Sequence, residues 1–134
     1  MIFKKKKDNN DIIKIAALLI HVAKIDQDFS NKEENIIKQT LLKIGAKDED
    51  IQKIIDEGKI IEENSNQILD FTKKVKSMEN DNKIRIIEAL WQIIYSDKKA
   101  DIYEANLMRR LAGLLYIDNK TMGDIKDKIK KENS

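Results

Sequence analysis

The 134-residue chain has no cysteine and no proline, four glycines, one histidine and only 5% aromatic residues. Without cysteine there is no disulfide framework, no thiol chemistry and no thiolate metal site, and the usage fits a reducing, cytoplasmic setting. One histidine excludes a histidine-rich zinc or copper site within a single chain. Scarce glycine and absent proline remove the residues that tight turns draw on, which disfavours all-β and α/β folds and points to an all-α chain. Neither sign of charge dominates: 26 Lys+Arg face 24 Asp+Glu for a net charge of +2. A dedicated nucleic-acid binder would carry a strong basic excess, so no nucleic-acid partner is expected. No glycine-rich phosphate loop occurs.

What the chain does have is isoleucine at helical spacing. An apolar fraction of 41% argues against disorder, and the length suits one domain. Isoleucine favours strands by propensity, but the spacing decides for helix throughout. Residues 1–10 form a basic, flexible lead-in containing Lys4 to Lys7, and residues 11–131 form the domain. From Ile12 to Ala23 apolar side chains cover nearly the whole circumference, which predicts a helix buried on almost all sides. Lys14 and His21 interrupt that stretch, so it is too short and too polar to span a membrane.

Further helices are expected over Asn31 to Ile44, ended by Gly45, and after Asp48, with a bend or fraying at Gly58. A fourth is expected over Asn66 to Met78, followed by a polar turn over Glu79 to Asn82. Three more follow, one carrying Ile84 to Ile94, one after Asp101 and one from near Asp118. The sum is a compact all-α bundle of about seven helices.

Two parts of the pattern match. Ile12 to Glu34 can be laid on Lys83 to Ala105, each reading as a nearly all-apolar helix, an aspartate (Asp26 or Asp97), a polar stretch, an N-cap (Ser30 or Asp101) and an amphipathic helix. Three residues beyond each cap stands Glu33 or Glu104, and Ser30 with Glu33 makes a capping box. The chain therefore carries an internal pseudo-repeat of two helix-turn-helix motifs.

The second of these motifs, Ile94 to Tyr116 with Asp97, Asp101, Tyr103, Glu104, Asn106, Arg109, Arg110, Ala112 and Gly113, resembles the second motif of the TerB-like family. That family is the tellurite-resistance module, also similar to the N-terminal region of the DjlA co-chaperones. Val22 to Glu34 resembles its first motif, and the resemblance covers about Asp11 to Lys130. Members usually carry glycine after the motif aspartate, where this chain has Gln27 and Lys98. The resemblance implies a compact helical domain, an acidic divalent-cation site near the two motifs, no catalytic activity, and work in stress responses at the inner membrane face.

Asp26, Glu33, Asp97 and Glu104 are the candidate metal ligands, with Asp28 and Asp101 as further donors, because hard cations such as Ca²⁺ or Mg²⁺ take several carboxylate oxygens. The competing reading needs no metal: both glutamates sit at positive helix N-termini, and both aspartates can close their turns. An EF-hand is excluded, since loop positions 6 and 12 of the first copy are Asn31 and Ile37 instead of glycine and glutamate. Tyr103, Arg109 and Arg110 are candidate partner-binding residues for other proteins at a membrane face, against the alternative of a solvated helix surface. Lys4 to Lys7 would give weak peripheral contact with anionic lipid at most. His21 is expected as a satisfied core side chain and Trp91 as a core filler. From Asp26 to Glu63 eleven acids face six lysines, so the near-neutral total conceals a basic start on an acidic body.

Overall fold

The computed structural model describes residues 2–24, 30–64, 69–97 and 102–132. Seven helices lie within them: α1 (Ile2–Ala23), α2 (Asn31–Lys43), α3 (Ile51–Glu63), α4 (Leu69–Lys76), α5 (Asn80–Ile94), α6 (Ile102–Leu114) and α7 (Asn119–Glu132). Single 3₁₀ turns at Asp48–Asp50 and Tyr95–Asp97 precede α3 and follow α5. No strand occurs among the described residues, and the all-α expectation holds.

The two helices that are apolar nearly all round form the centre. Along α1, residues from Ile12 to Ile20 are buried except Lys14, followed by Val22 and Ala23. Ile86, Ile87, Ala89, Leu90, Trp91, Ile93 and Ile94 of α5 are buried likewise. The amphipathic helices pack around them. α3, α4 and α2 lie on α1, while α2 and α7 lie on α5. Each contributes one stripe, for example Ile51, Ile54 and Ile55 on α3, or Met122, Ile125 and Ile129 on α7. Burying each such side chain contributes about 1.5–3 kcal/mol. The two repeat units are not placed symmetrically, because α2 packs across onto α5 whereas α6 rests chiefly on α4 and α7.

Three local expectations change. Helix α1 begins at Ile2, so the stretch containing Lys4 to Lys7 is helical and no break in secondary structure marks Asp11; lysine is a good helix former and needs no apolar stripe to continue one. α3 runs unbroken through Gly58, which is buried. There a Cβ would lie 3.1 Å from the Ala16 Cβ and 3.3 Å from the Ala17 backbone nitrogen, so the glycine serves close approach of α3 to α1. The polar turn over Glu79 to Asn82 is the first turn of α5, with Glu79 as its N-cap. Asn66 and Ile68, expected to open α4, lie outside the described residues.

Helix ends are closed by side chains from a distance. Arg85 Nη1 donates to the carbonyl of Lys43 at 3.2 Å, where α2 ends, and Lys83 Nζ donates to the carbonyl of Leu115 at 3.2 Å, just past α6. Both donors sit near the start of α5. α2 itself stops at Gly45, whose φ of +114° suits only glycine.

Candidate functional site

The first motif is fixed at the start of α2. Ser30 has extended backbone (φ −78°, ψ 163°), and its hydroxyl accepts from the Glu33 amide at 3.2 Å. In return Glu33 Oε1 accepts from the Ser30 amide at 2.9 Å and from its hydroxyl at 3.1 Å. This completes the capping box expected from the sequence. Glu33 is only 3% exposed, so one of its oxygens is committed to the cap within a buried setting. Its neighbour Glu34 faces Lys59 at 3.3 Å and Lys38 at 3.9 Å instead.

The second motif lies beside the first. Lys32, one residue before Glu33, donates to the Ser96 carbonyl at 3.2 Å, and Ser96 immediately precedes Asp97. Ser96 is itself held by its hydroxyl, which donates to the Ile93 carbonyl at 2.7 Å. Packing of α2 on α5 therefore brings the entry of the second motif to the N-terminus of the first motif's helix, across 64 residues of chain. Asp97 closes the 3₁₀ turn and Glu104 stands in the first turn of α6, where Tyr103 also lies; the side chains of these three are outside the described part. Asp26, Asp28 and Asp101 lie outside the described residues altogether. Among the described residues no three histidine, aspartate or glutamate side chains converge as a metal cage.

Arg109 and Arg110 are exposed on α6, and Arg109 Nη1 donates to Asn106 Oδ1 at 3.3 Å, one turn back. A groove of about 340 Å³ runs along α2 from Lys32 past Asn35 and Gln39 to Lys43, facing Gln92 of α5. Thr40, which also lines it, donates its hydroxyl to the Ile36 carbonyl at 2.8 Å, so it is no free nucleophile.

One functional group was not anticipated. Glu62, near the end of α3, is 9% exposed and lies between His21 on the last turn of α1 and Lys24 just beyond it. Its Oε1 accepts from Lys24 Nζ at 2.6 Å, and its Oε2 is 3.1 Å from His21 Nδ1. Burial raises the Glu62 pKa, but the hydrogen bonds and charges of Lys24 and His21 outweigh that and the net shift is downward. The bond to Glu62 raises the Lys24 pKa in turn. His21 is thus a half-buried partner of a carboxylate and not an enclosed core group. A signal existed: Glu62 continues the inward stripe Ile51, Ile54, Ile55 and Gly58 of α3, and an acid in an apolar stripe asks for a partner.

A family model described as tellurite resistance protein TerB matches residues 13–127. No curated protein and no solved structure matches the chain.

Proposed function

We propose a function from one premise: the chain belongs to the TerB family. It works as a non-enzymatic binding and sensing module that takes up a divalent cation, Ca²⁺ or Mg²⁺, with Asp26, Glu33, Asp97 and Glu104, assisted by Asp28 and Asp101. A role in tellurite or general stress resistance accords with the family's description. The observation that carries the reading is the Lys32–Ser96 bond. It sets the residue before Glu33 against the residue before Asp97, so carboxylates from both motifs have a common neighbourhood to meet in. An all-carboxylate donor set suits hard cations that take six to eight oxygens at flexible geometry. The buried Glu33, with one oxygen steadied by Ser30, is a rigid donor of the kind such a site needs.

Calorimetric titration of the chain with Ca²⁺, Mg²⁺ and Mn²⁺ tests this. Binding heat is expected for the wild type and its loss in Asp97→Asn and Glu104→Gln. A ligand held at 100 times its Kd stabilises the fold by about 2.7 kcal/mol, a rise in melting temperature that is easy to see. No heat and no thermal shift with any of the three metals sinks the reading.

A second reading rests on the exposed Arg109 and Arg110 of α6. With Tyr103 they form a docking face for an acidic protein partner, making the chain a cytoplasmic scaffold at the inner membrane face. No helix among the described residues is long and apolar enough to cross a membrane. Capture of the same partners by the triple alanine variant of these residues would remove it.

A further inference from the structure

Tyr116 stands out among the described residues on two counts. It is 70% exposed, and it is their one non-glycine residue with positive φ, at 58°. The position closes α6: the Ile117 amide donates to the Ala112 carbonyl at 2.9 Å and the Tyr116 amide to the Gly113 carbonyl at 3.4 Å, a turn that glycine makes without strain. Leu115 and Ile117 on either side are buried, so the turn is anchored and Tyr116 faces outward. A large side chain that strains its backbone and buries little of itself gives the fold little in return, and such outliers collect at binding sites.

What surrounds the ring is positive. The Lys76 ammonium, at the end of α4, lies 4.4 Å from the ring centroid. Lys83 of α5 reaches the same turn, donating to the Leu115 carbonyl at 3.2 Å. Hydrogen bonding from Lys76, then its charge, and then the charge of Lys83 hold the Tyr116 hydroxyl below its ordinary pKa. Asp118, close by in the chain, has its carboxylate taken up by the Thr121 amide at 2.6 Å. On the α6 side, Gly113 has open space where a Cβ would stand. Arg109 and Arg110 are exposed one turn before it, at the spacing that shares its face.

We infer that Tyr116, with Lys76 and Lys83, anchors a docking surface for an acidic peptide segment of a partner protein, which continues past Gly113 to Arg109 and Arg110. This deepens the second reading above and rests on it for the two arginines. The ammonium groups and the phenol hydroxyl offer donors to a carboxylate, while the exposed ring offers apolar area at little cost in side-chain freedom, as interface anchors do. By helical rise Arg110 and Tyr116 lie roughly 9 Å apart along the axis, which an extended segment covers with about three residues. A single tyrosine is too little apolar surface to hold a membrane.

Titration of the full chain with acetyl-hexaglutamate amide, followed in ¹H–¹⁵N correlation spectra at low salt, tests this. Shifts are expected at the amides of Leu115, Tyr116 and Ile117 and at Lys76 and Lys83, with none from hexalysine. Tyr116→Gly suits the backbone and keeps the fold; it and Lys76→Gln are each expected to weaken Kd by about ten-fold, the scale of an interface anchor. Tyr116→Phe, which keeps the ring, should lose less than Tyr116→Gly. An absence of shifts at these positions in the wild type, or an unchanged Kd in both Tyr116→Gly and Lys76→Gln, overturns the anchor. If the wild type binds the peptide and only Arg109→Ala with Arg110→Ala weakens it, the anchor falls and the docking reading stands. Loss in the Tyr116 and Lys76 variants with the arginine variant unchanged upholds the anchor and removes the arginines from the surface. Sedimentation with phosphatidylserine vesicles that is lost in Tyr116→Gly, where hexaglutamate produces no shift, would assign the patch to lipid and overturn the proposal.

Discussion

Gly58 packs so closely on Ala16 that an added Cβ would stand 3.1 Å from the Ala16 Cβ. That atom and the Ala17 nitrogen at 3.3 Å belong to the frame of α1 and cannot swing aside; of the three nearest atoms only Ile20 Cδ1, also at 3.3 Å, ends a flexible side chain. Alanine at position 58 would gain up to about 1 kcal/mol in helix propensity but meet overpacking of about 1–3 kcal/mol, and the second effect wins. Gly58→Ala should therefore lower the urea unfolding free energy by about 1 kcal/mol. Gly123 lies inside α7 with open space where its Cβ would be. Gly123→Ala should raise it by about 0.5–1 kcal/mol.

Acid sensitivity should trace to Glu62. Its pKa in the fold lies below the ordinary 4.5, so its contribution is complete above that value and disappears as pH falls through the lowered one. Wild type should lose stability on acidification below about pH 4.5 more steeply than Glu62→Gln, whose amide does not titrate there. Lys24 acts in the opposite range. Its pKa is raised, so its contribution is complete below the ordinary lysine value and is lost as pH rises through the higher one. Chemical denaturation across pH, wild type against variant, checks both signs.

The α2 cap should be worth a measurable amount. Ser30→Ala deletes the hydroxyl that accepts from the Glu33 amide and donates to the Glu33 carboxylate. A loss of about 1 kcal/mol is expected, the typical value for an N-cap. Ser30→Asp, which keeps an acceptor but sets a second carboxylate beside Glu33, should recover only part of it.

Tyr116 occupies left-handed backbone at φ 58° while 70% exposed, with the Lys76 ammonium 4.4 Å from its ring centroid. It follows the end of α6, where the Ile117 amide closes on the Ala112 carbonyl at 2.9 Å, a position glycine usually fills. Relief of about 1–2 kcal/mol of backbone strain competes with loss of a cation–π contact of about 0.5–1 kcal/mol and with the greater freedom of glycine when unfolded. Tyr116→Gly should leave stability within about 0.5 kcal/mol of wild type or slightly above it. Tyr116→Val, branched at Cβ, should lose more than 1 kcal/mol by thermal unfolding.

Helices were legible where apolar spacing was complete, as in Ile12 to Ala23 and Ile84 to Ile94, because burial on all sides leaves no competing period. The capping box was legible because Ser30 and Glu33 act within one turn. Gly58 was misread because glycine weakens an exposed helix yet permits contact in a buried one, and only the presence of Ala16 and Ala17 opposite distinguishes these. Glu79 to Asn82 looked like a turn because asparagine and aspartate favour turns and first helical turns alike. Of the candidate site, the cap formed by Ser30 and Glu33 was legible, while Asp26, Asp28 and Asp101 lie outside the described residues. The meeting of Lys32 with Ser96 and the gripping of Lys24 by Glu62 were not legible, since both depend on how helices far apart in the chain pack.

Lys83 and Arg85, two residues apart at the start of α5, close the ends of α6 and α2, the second helices of the two similar units. A duplicated pattern ordinarily invites division into halves. Here the first half would forfeit the closure that Arg85 supplies to α2 and the surface of α5 on which α2 lies, whereas the Lys83 bond to Leu115 stays within the second half. Severed between 64 and 69, the pieces should neither fold nor function apart, yet should reassemble when mixed, which makes the chain a natural split reporter with its own complementation built in.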